Sequence, residues 1–388
     1  MPYLDHAATT PMRPEAREAM LPYLGEVFGN PSGQHAAARA ARTAVEEARE
    51  TVAEHLGVRP GEVVFTSGGT EADNLALKGA ARSARDRGLG DGVVATAVEH
   101  HAVLHSVDRL EREGFRVTRV GVDGSGVVDL DALAGALDER TVVVSVMLAN
   151  NEVGTIQPLD EVAVLVSARA PRAALHTDAV QAAPWMDLVA ATSGVQLSAV
   201  SAHKFGGPKG VGALAVRLPT RLVALVDGGG QERDLRSGTH NVAGIVGMAA
   251  ALAATTAHRT EDTARVGALR DRFAAGLDAV PGVIHNGAAG ARGRLPNSCH
   301  VTFRGVESEA LLLLLDRDGV AAAAGSSCAS GAMDPSHVLA AMGIARPEAR
   351  SSVRFSFGWC SVEEDVDTAL AVIPGAVERL RPLAARAG

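Results

Sequence analysis

Between Gly61 and Val216 the chain repeats one pattern: a short run nearly continuous in apolar and β-branched residues, a turn, then an amphipathic stretch. The runs are EVVFTS (62–67), GVVATAV (92–98), RVTRVGV (116–122), TVVVSVML (141–148), AALHTD (173–178), VQLSAVSA (195–202) and VGALAV (211–216). A strand apolar on both faces must be covered on both, and helices between successive strands supply the cover. The pattern predicts an α/β fold built on a mostly parallel seven-stranded sheet. Ala36 to Leu56 reads as a long helix closed by Gly57. After about Asn241 come two helical patterns (242–258 and 261–279), strands at 283–286, 298–303 and 352–357, and helices near 307–316 and 362–383. These form a smaller α+β unit. We expect a large domain over residues 16–250 and a small one from 1–15 and 251–388, with a helix crossing the join.

Aromatic residues are only 3% of the chain although 47% is apolar, so the core rests on Val, Leu and Ala. A net charge of −8 disfavours a nucleic-acid-binding face, which needs cations to neutralise phosphates. The longest aliphatic run, Leu311 to Leu315, is far short of a membrane span, and MPYLDHAATTP lacks the charged and apolar regions of a signal peptide. A cytoplasmic location is expected. Cys299, Cys328 and Cys360 are too few for a disulfide framework and suit a reducing compartment. Only three of the 37 basic residues are lysines, Lys78, Lys204 and Lys209, so lysine chemistry has few places to occur.

Several strand ends carry polar residues. In Thr66-Ser67-Gly68-Gly69-Thr70-Glu71 a strand passes into a helix through small residues. Glycines let the backbone approach an anion, and a helix start offers unpaired N–H groups. The alternative is a tight turn with a Thr cap. Lys204, in SAHK, ends a buried strand, where a free ammonium is costly and a Schiff base is one outlet; Lys78 and Lys209 read as solvated charges. Asp178 ends another strand and suits either a protonated ring nitrogen or a helix N-cap. His100 and His101 follow a third strand and, being adjacent, point different ways. Asn150-Asn151-Glu152 follows a fourth. Ligands of open α/β sheets sit at such ends, and five of them share one rim here. Cys328 stands apart, among the small residues of AGSSCASG, where a thiol stays accessible and nucleophilic. Cys299 and Cys360 suit the small buried hydrophobe that cysteine more often is.

Taken in order, LDHAATTP, FGNPS, VFTSGGTEADNLAL, EHHAVL, NNEVGTIQP, HTDAVQ, SAHKFGGPKGVG, GGGQERDLRSGT, GSSCASGAMDPSHVL and SSVRFSFG resemble the cysteine desulfurases, within the class V aminotransferases of fold-type I pyridoxal-phosphate (PLP) enzymes. The likeness spans essentially the whole chain. It implies the PLP-dependent transferase fold and pyridoxal 5'-phosphate bound to Lys204, with no metal. Asp178 should pair with the ring nitrogen, and Gln181, near Asn151, should meet the phenolic oxygen. His100 should stack on the ring and move protons. Gly69, Thr70, Ser201 and His203 should cradle the phosphate, with Thr239 reaching in from the second subunit of a homodimer. Arg354, with Asn30 nearby, should hold the carboxylate of L-cysteine. Cys328 should take the sulfur as a persulfide, release alanine, and serve a sulfur-acceptor or iron–sulfur scaffold protein. Its loop is similar to the longer IscS/NifS-like type.

The resemblance also leaves two other readings: a selenocysteine lyase or other class V enzyme, and a non-catalytic sulfur-carrier or docking subunit. SAHK stands where the family usually has SGHK. His240 follows RSGT where Glu or Leu is commoner. The ending RPLAARAG lacks a longer tail with which some relatives bind a scaffold, so the acceptor stays open.

Overall fold

Each β-branched run forms a strand in the computed structural model, which describes residues 2–290, 293–325 and 336–384. The strands are β1 (Val63–Thr66), β2 (Gly92–Thr96), β3 (Arg116–Val120), β4 (Thr141–Ser145), β5 (Ala174–Asp178), β6 (Leu197–Ser201) and β7 (Gly212–Val216). They make one seven-stranded sheet in the order β1-β7-β6-β5-β4-β2-β3. Four neighbouring pairs are parallel, and β7 runs antiparallel to both β1 and β6. All strands but β3 are buried at every position. β3 is an edge, and its arginines Arg116 and Arg119 pair with acids of neighbouring segments, which blunts it against further strand addition. β1, the other edge, is covered by side chains described below.

A second, antiparallel sheet joins β8 (Val283–Asn286), β9 (Ser298–Phe303) and β10 (Ser352–Ser356) in the order β10-β9-β8. Phe273 packs edge-on against Phe355 and Phe357, with centroids 5.0 and 5.5 Å away, so the few aromatics concentrate behind this sheet. The two helical patterns expected at 242–258 and 261–279 are one helix, Val242–Leu277, of 36 residues. No Gly or Pro interrupts it at 259–261, and Asp262 pairs with Arg265 one turn on. It runs unbroken past residue 250.

The N-terminal segment ties the sheets together. Tyr3 bridges Ala321 and Asp5 bridges Ser356 beside β10, after which the chain turns toward the C-terminal end of β6. Among the described residues no helix is long and apolar enough to cross a membrane.

Candidate active site

The ends of β2, β4, β5 and β6 open onto one cavity of about 360 Å³. Gly69, Thr70, His100, Asn151, Asp178, Gln181, Ser201, His203, Lys204 and Arg354 line it, so ten residues expected from sequence come together. Asp73, Met147, Val180 and the Ala7–Ala8 backbone complete the lining and were not foreseen. Asp73 had one available signal, its place one turn beyond Gly69 on the same helix face.

Lys204 follows β6 in a single 3-10 turn, Ala202–Lys204. Its Nζ donates to the carbonyls of Ala7 at 2.6 Å and Ala8 at 2.9 Å. Gln181 Nε2 donates to the same Ala7 oxygen at 2.8 Å, so the N-terminal segment locks two of the expected cofactor residues. His203 Nδ1 lies 3.1 Å from Thr9 Oγ1, and burial next to Lys204 lowers its pKa to about 4. Lys78 is held by Asn74 on its own helix, and Lys209 is exposed in its loop.

Three carboxyls are buried nearby, and their surroundings separate them. Burial pushes Asp73 well above the usual carboxylate range, and Asp178 and Glu99 push the same way. Burial takes Glu99 up to about 8. Asp178 is also raised by burial, but His100 and Lys204 beside it pull it back down. His176 Nε2 is 3.4 Å from Asp73 Oδ1 without hydrogen-bond alignment, and burial lowers that imidazole to about 3. Asp178 is thus the carboxyl of the three best placed to carry the negative charge of the site. Its Oδ1 also accepts from Val180 N at 2.9 Å, but a turn and not a helix follows, so the N-cap alternative does not hold.

His100 caps helix His101–Arg112 through Ala102 N and turns its ring into the cavity, where burial lowers its pKa against the pull of Asp178. His101 points away and packs on His337, with centroids 4.7 Å apart. Helix Gly69–Asp86 starts on the far flank with Gly68, not Thr70, as its N-cap. Gly68 has φ +153°, a region essentially closed to other residues, and a Cβ there would lie 3.7 Å from Ser201 Oγ in the space an anion would use. Arg354 is 2% exposed and donates to Asn151 O at 2.9 Å and Asp5 Oδ1 at 2.8 Å. That arginine already engages a carboxylate.

Asn30 and Thr239 do not line the cavity of the single chain: both are exposed, and Asn30 Oδ1 accepts from Ser32 N. Cys328 lies outside the described residues. Cys299 is buried in β9, its thiol pushed up to about 12 by burial. Cys360 departs from expectation, being exposed, because it falls in the turn between β10 and the last helix rather than in a strand.

A reactive aldehyde asks for the lysine, a ring nitrogen for the buried anion, and a phosphate for the helix start beside Ser201 and His203. Pyridoxal 5'-phosphate joins the three in one molecule, and its size suits the cavity. The chain is a PLP-dependent enzyme of fold type I. The aminotransferase class-V family pattern matches residues 2–369. An IscS-like cysteine desulfurase of Mycobacterium tuberculosis is 49% identical over 386 residues, spanning 98% of this chain and 97% of that one. The cysteine desulfurase IscS of Clostridium botulinum is 42% identical over 382 residues, spanning 98% and 95%. A solved NifS-like protein superposes with a TM-score of 0.91 at 37% identity, over 97% of this chain and 99% of that one. The chain belongs to the class-V aminotransferase family and, within it, to the IscS/NifS-like cysteine desulfurases.

Proposed function

We propose that this chain takes the sulfur of L-cysteine, releases L-alanine, and passes the sulfur, held as a persulfide on Cys328, to an acceptor protein in iron–sulfur cluster assembly or a thiolation pathway. The observation that carries the reading is the convergence of Lys204, Asp178, His100 and Arg354 on one cavity. PLP supplies, when bound, an electron sink for bonds at the substrate's α-carbon. Lys204 anchors it, Asp178 keeps its ring nitrogen protonated, His100 covers the ring, and Gly69, Thr70, Ser201 and His203 hold the phosphate, with Thr239 contributed by a second copy. Arg354, aided by Asn30, binds the substrate carboxylate. Lys204 removes the α-proton and later returns a proton to carbon. The Cys328 thiolate forms a bond to the substrate's sulfur as the sulfur–carbon bond breaks, the electron pair leaving with the carbon.

Reach supports this role. Ala323 exchanges backbone hydrogen bonds with Arg354 at 2.8 and 3.3 Å. Cys328 follows Ala323 by five residues in the sequence. A cytoplasmic homodimer, with a large domain over 16–250 and a small one from 1–15 and 251–388, completes the proposal. The test is an assay of alanine and sulfide from cysteine for the wild type, Lys204→Ala and Cys328→Ala. Both variants should lose turnover, and undiminished activity in Cys328→Ala would sink the desulfurase reading.

A further inference from the structure

His240, the residue that departs from the family's usual choice after RSGT, belongs to a buried cluster. Glu232 is 5% exposed, and its carboxylate accepts four hydrogen bonds. Oε2 takes Arg49 Nη1 and Phe65 N, both at 2.8 Å. Oε1 takes Arg49 Nη2 and His240 Nε2, both at 2.7 Å. A carboxylate has about four lone-pair sites, so Glu232 is saturated. Phe65 N lies on the open side of β1, and Val63 O on that side accepts from Arg49 at 3.0 Å and Arg233 at 2.6 Å. The cluster thus closes the free edge of the large sheet, where an unpaired strand would otherwise face outward.

The backbone carrying it is strained. Glu232, Arg233 and Asp234 have φ of 49°, 58° and 62°, three successive non-glycine residues in the left-handed region. Each costs of order 1 kcal/mol or more and persists only where surrounding contacts over-determine it. Two anchors bracket the segment that follows. Arg236 Nε donates to Glu71 Oε1 at 2.8 Å, and Glu71 Oε2 accepts from Ser67 N at 2.8 Å, at the head of the phosphate cradle. His240 is the other anchor, and its Nδ1 has no partner, so Nε2 is the ring's one polar link among the described residues. Between these anchors stands Thr239, exposed and outside the cavity of its own chain.

We propose that His240 is a positioning residue: by supplying the fourth hydrogen bond to Glu232 it holds Thr239 in the pose that reaches the phosphate of PLP in a second copy of the chain. The proposal rests on the cross-subunit reading of Thr239 given above. Its signature is an effect in trans, which a merely structural role would not produce.

Hybrid dimers test it. One copy keeps Lys204 and the other carries Lys204→Ala, so borohydride fixes the cofactor only on the first copy, and the readout is the PLP concentration that half-fills that site. His240→Leu on the Lys204→Ala copy should raise this concentration about 10-fold, the scale of one lost hydrogen bond to a buried charge. The same substitution on the Lys204-bearing copy should change it by less than about twofold, as for independent sites. His240→Gln, whose amide can still donate to Glu232, should restore the wild-type value in either placement. If His240→Leu does not assemble, His240→Asn, too short to reach Glu232, is scored by the same rule. Thr239→Val in both placements separates the two levels. No effect of Thr239→Val in trans defeats the cross-subunit reading. A trans effect of Thr239→Val without one from position 240 overturns the proposal, as does an effect of position 240 confined to the Lys204-bearing copy.

Discussion

Replacing Arg354 by lysine should separate substrate recognition from cofactor binding. The guanidinium is buried, fixed by Asn151 O and Asp5 Oδ1, and lines the cavity. A substrate carboxylate meeting that planar fork can gain two charge-assisted hydrogen bonds, each worth about 1.5–3 kcal/mol. Lysine keeps the charge but not the fork, so Arg354→Lys should lose one bond and about 10–100-fold in kcat/KM. Arg354→Ala should lose both, about 10²–10⁴-fold. The stability cost is smaller than for a fully buried pair, because the Asp5 side chain is 21% exposed and water can take the place of its partner. That cost is about 1–3 kcal/mol, below the 3–5 typical when a buried charge is left without a partner. The assay is steady-state alanine production across cysteine concentrations, with PLP occupancy read from the cofactor's absorbance and unfolding followed in parallel. If both variants keep kcat/KM within about threefold of wild type while PLP occupancy is full, Arg354 does not bind the carboxylate.

Two further outcomes follow from the buried acids. Asp178→Asn should still accept PLP on Lys204, as borohydride fixation would register, but lose at least about 100-fold in cysteine turnover, since the anion facing the ring nitrogen is gone. Glu99 is held neutral by burial, at about 8 against about 4.3 in an unfolded chain, and it adds stability fully below the lower value. That contribution is lost as pH rises through this window, because the folded state there binds more protons than the unfolded one. Glu99→Gln keeps a neutral group accepting from Thr96 and Met147 N. It should flatten the fall in urea midpoint between about pH 5 and 8, and an unchanged slope would show that Glu99 is already ionised in the native state.

The strands of the large sheet other than β3 were legible because each is buried on both faces, which writes a nearly continuous apolar run. Their relative direction was less so: GALAV of β7 looks like the parallel strands of the sheet, yet it pairs antiparallel with both β1 and β6. The residues at the strand ends were legible as a group, since their chemistry is concentrated where the sheet opens. The Ala7 and Ala8 carbonyls were not, because backbone groups leave no mark in sequence, and the link of Ala7 to Lys204 spans 197 positions. Asp73 was hidden for the opposite reason: an acid in the first turns of a helix is ordinary, and only its burial beside Asp178 sets it apart. Cys360 was misjudged because residue type alone does not show that the turn after β10 leaves its thiol at the surface. The role of His240 was not legible, because sequence does not show that its ring meets Glu232, eight positions earlier.

The most direct test of the whole account is a single turnover with cysteine followed by mass spectrometry of each cysteine-containing peptide. One added sulfur atom is expected on Cys328, none on Cys299 or Cys360, and none anywhere in Lys204→Ala. Sulfur on Cys360 instead, or free sulfide with Cys328 unmodified in the wild type, would contradict it.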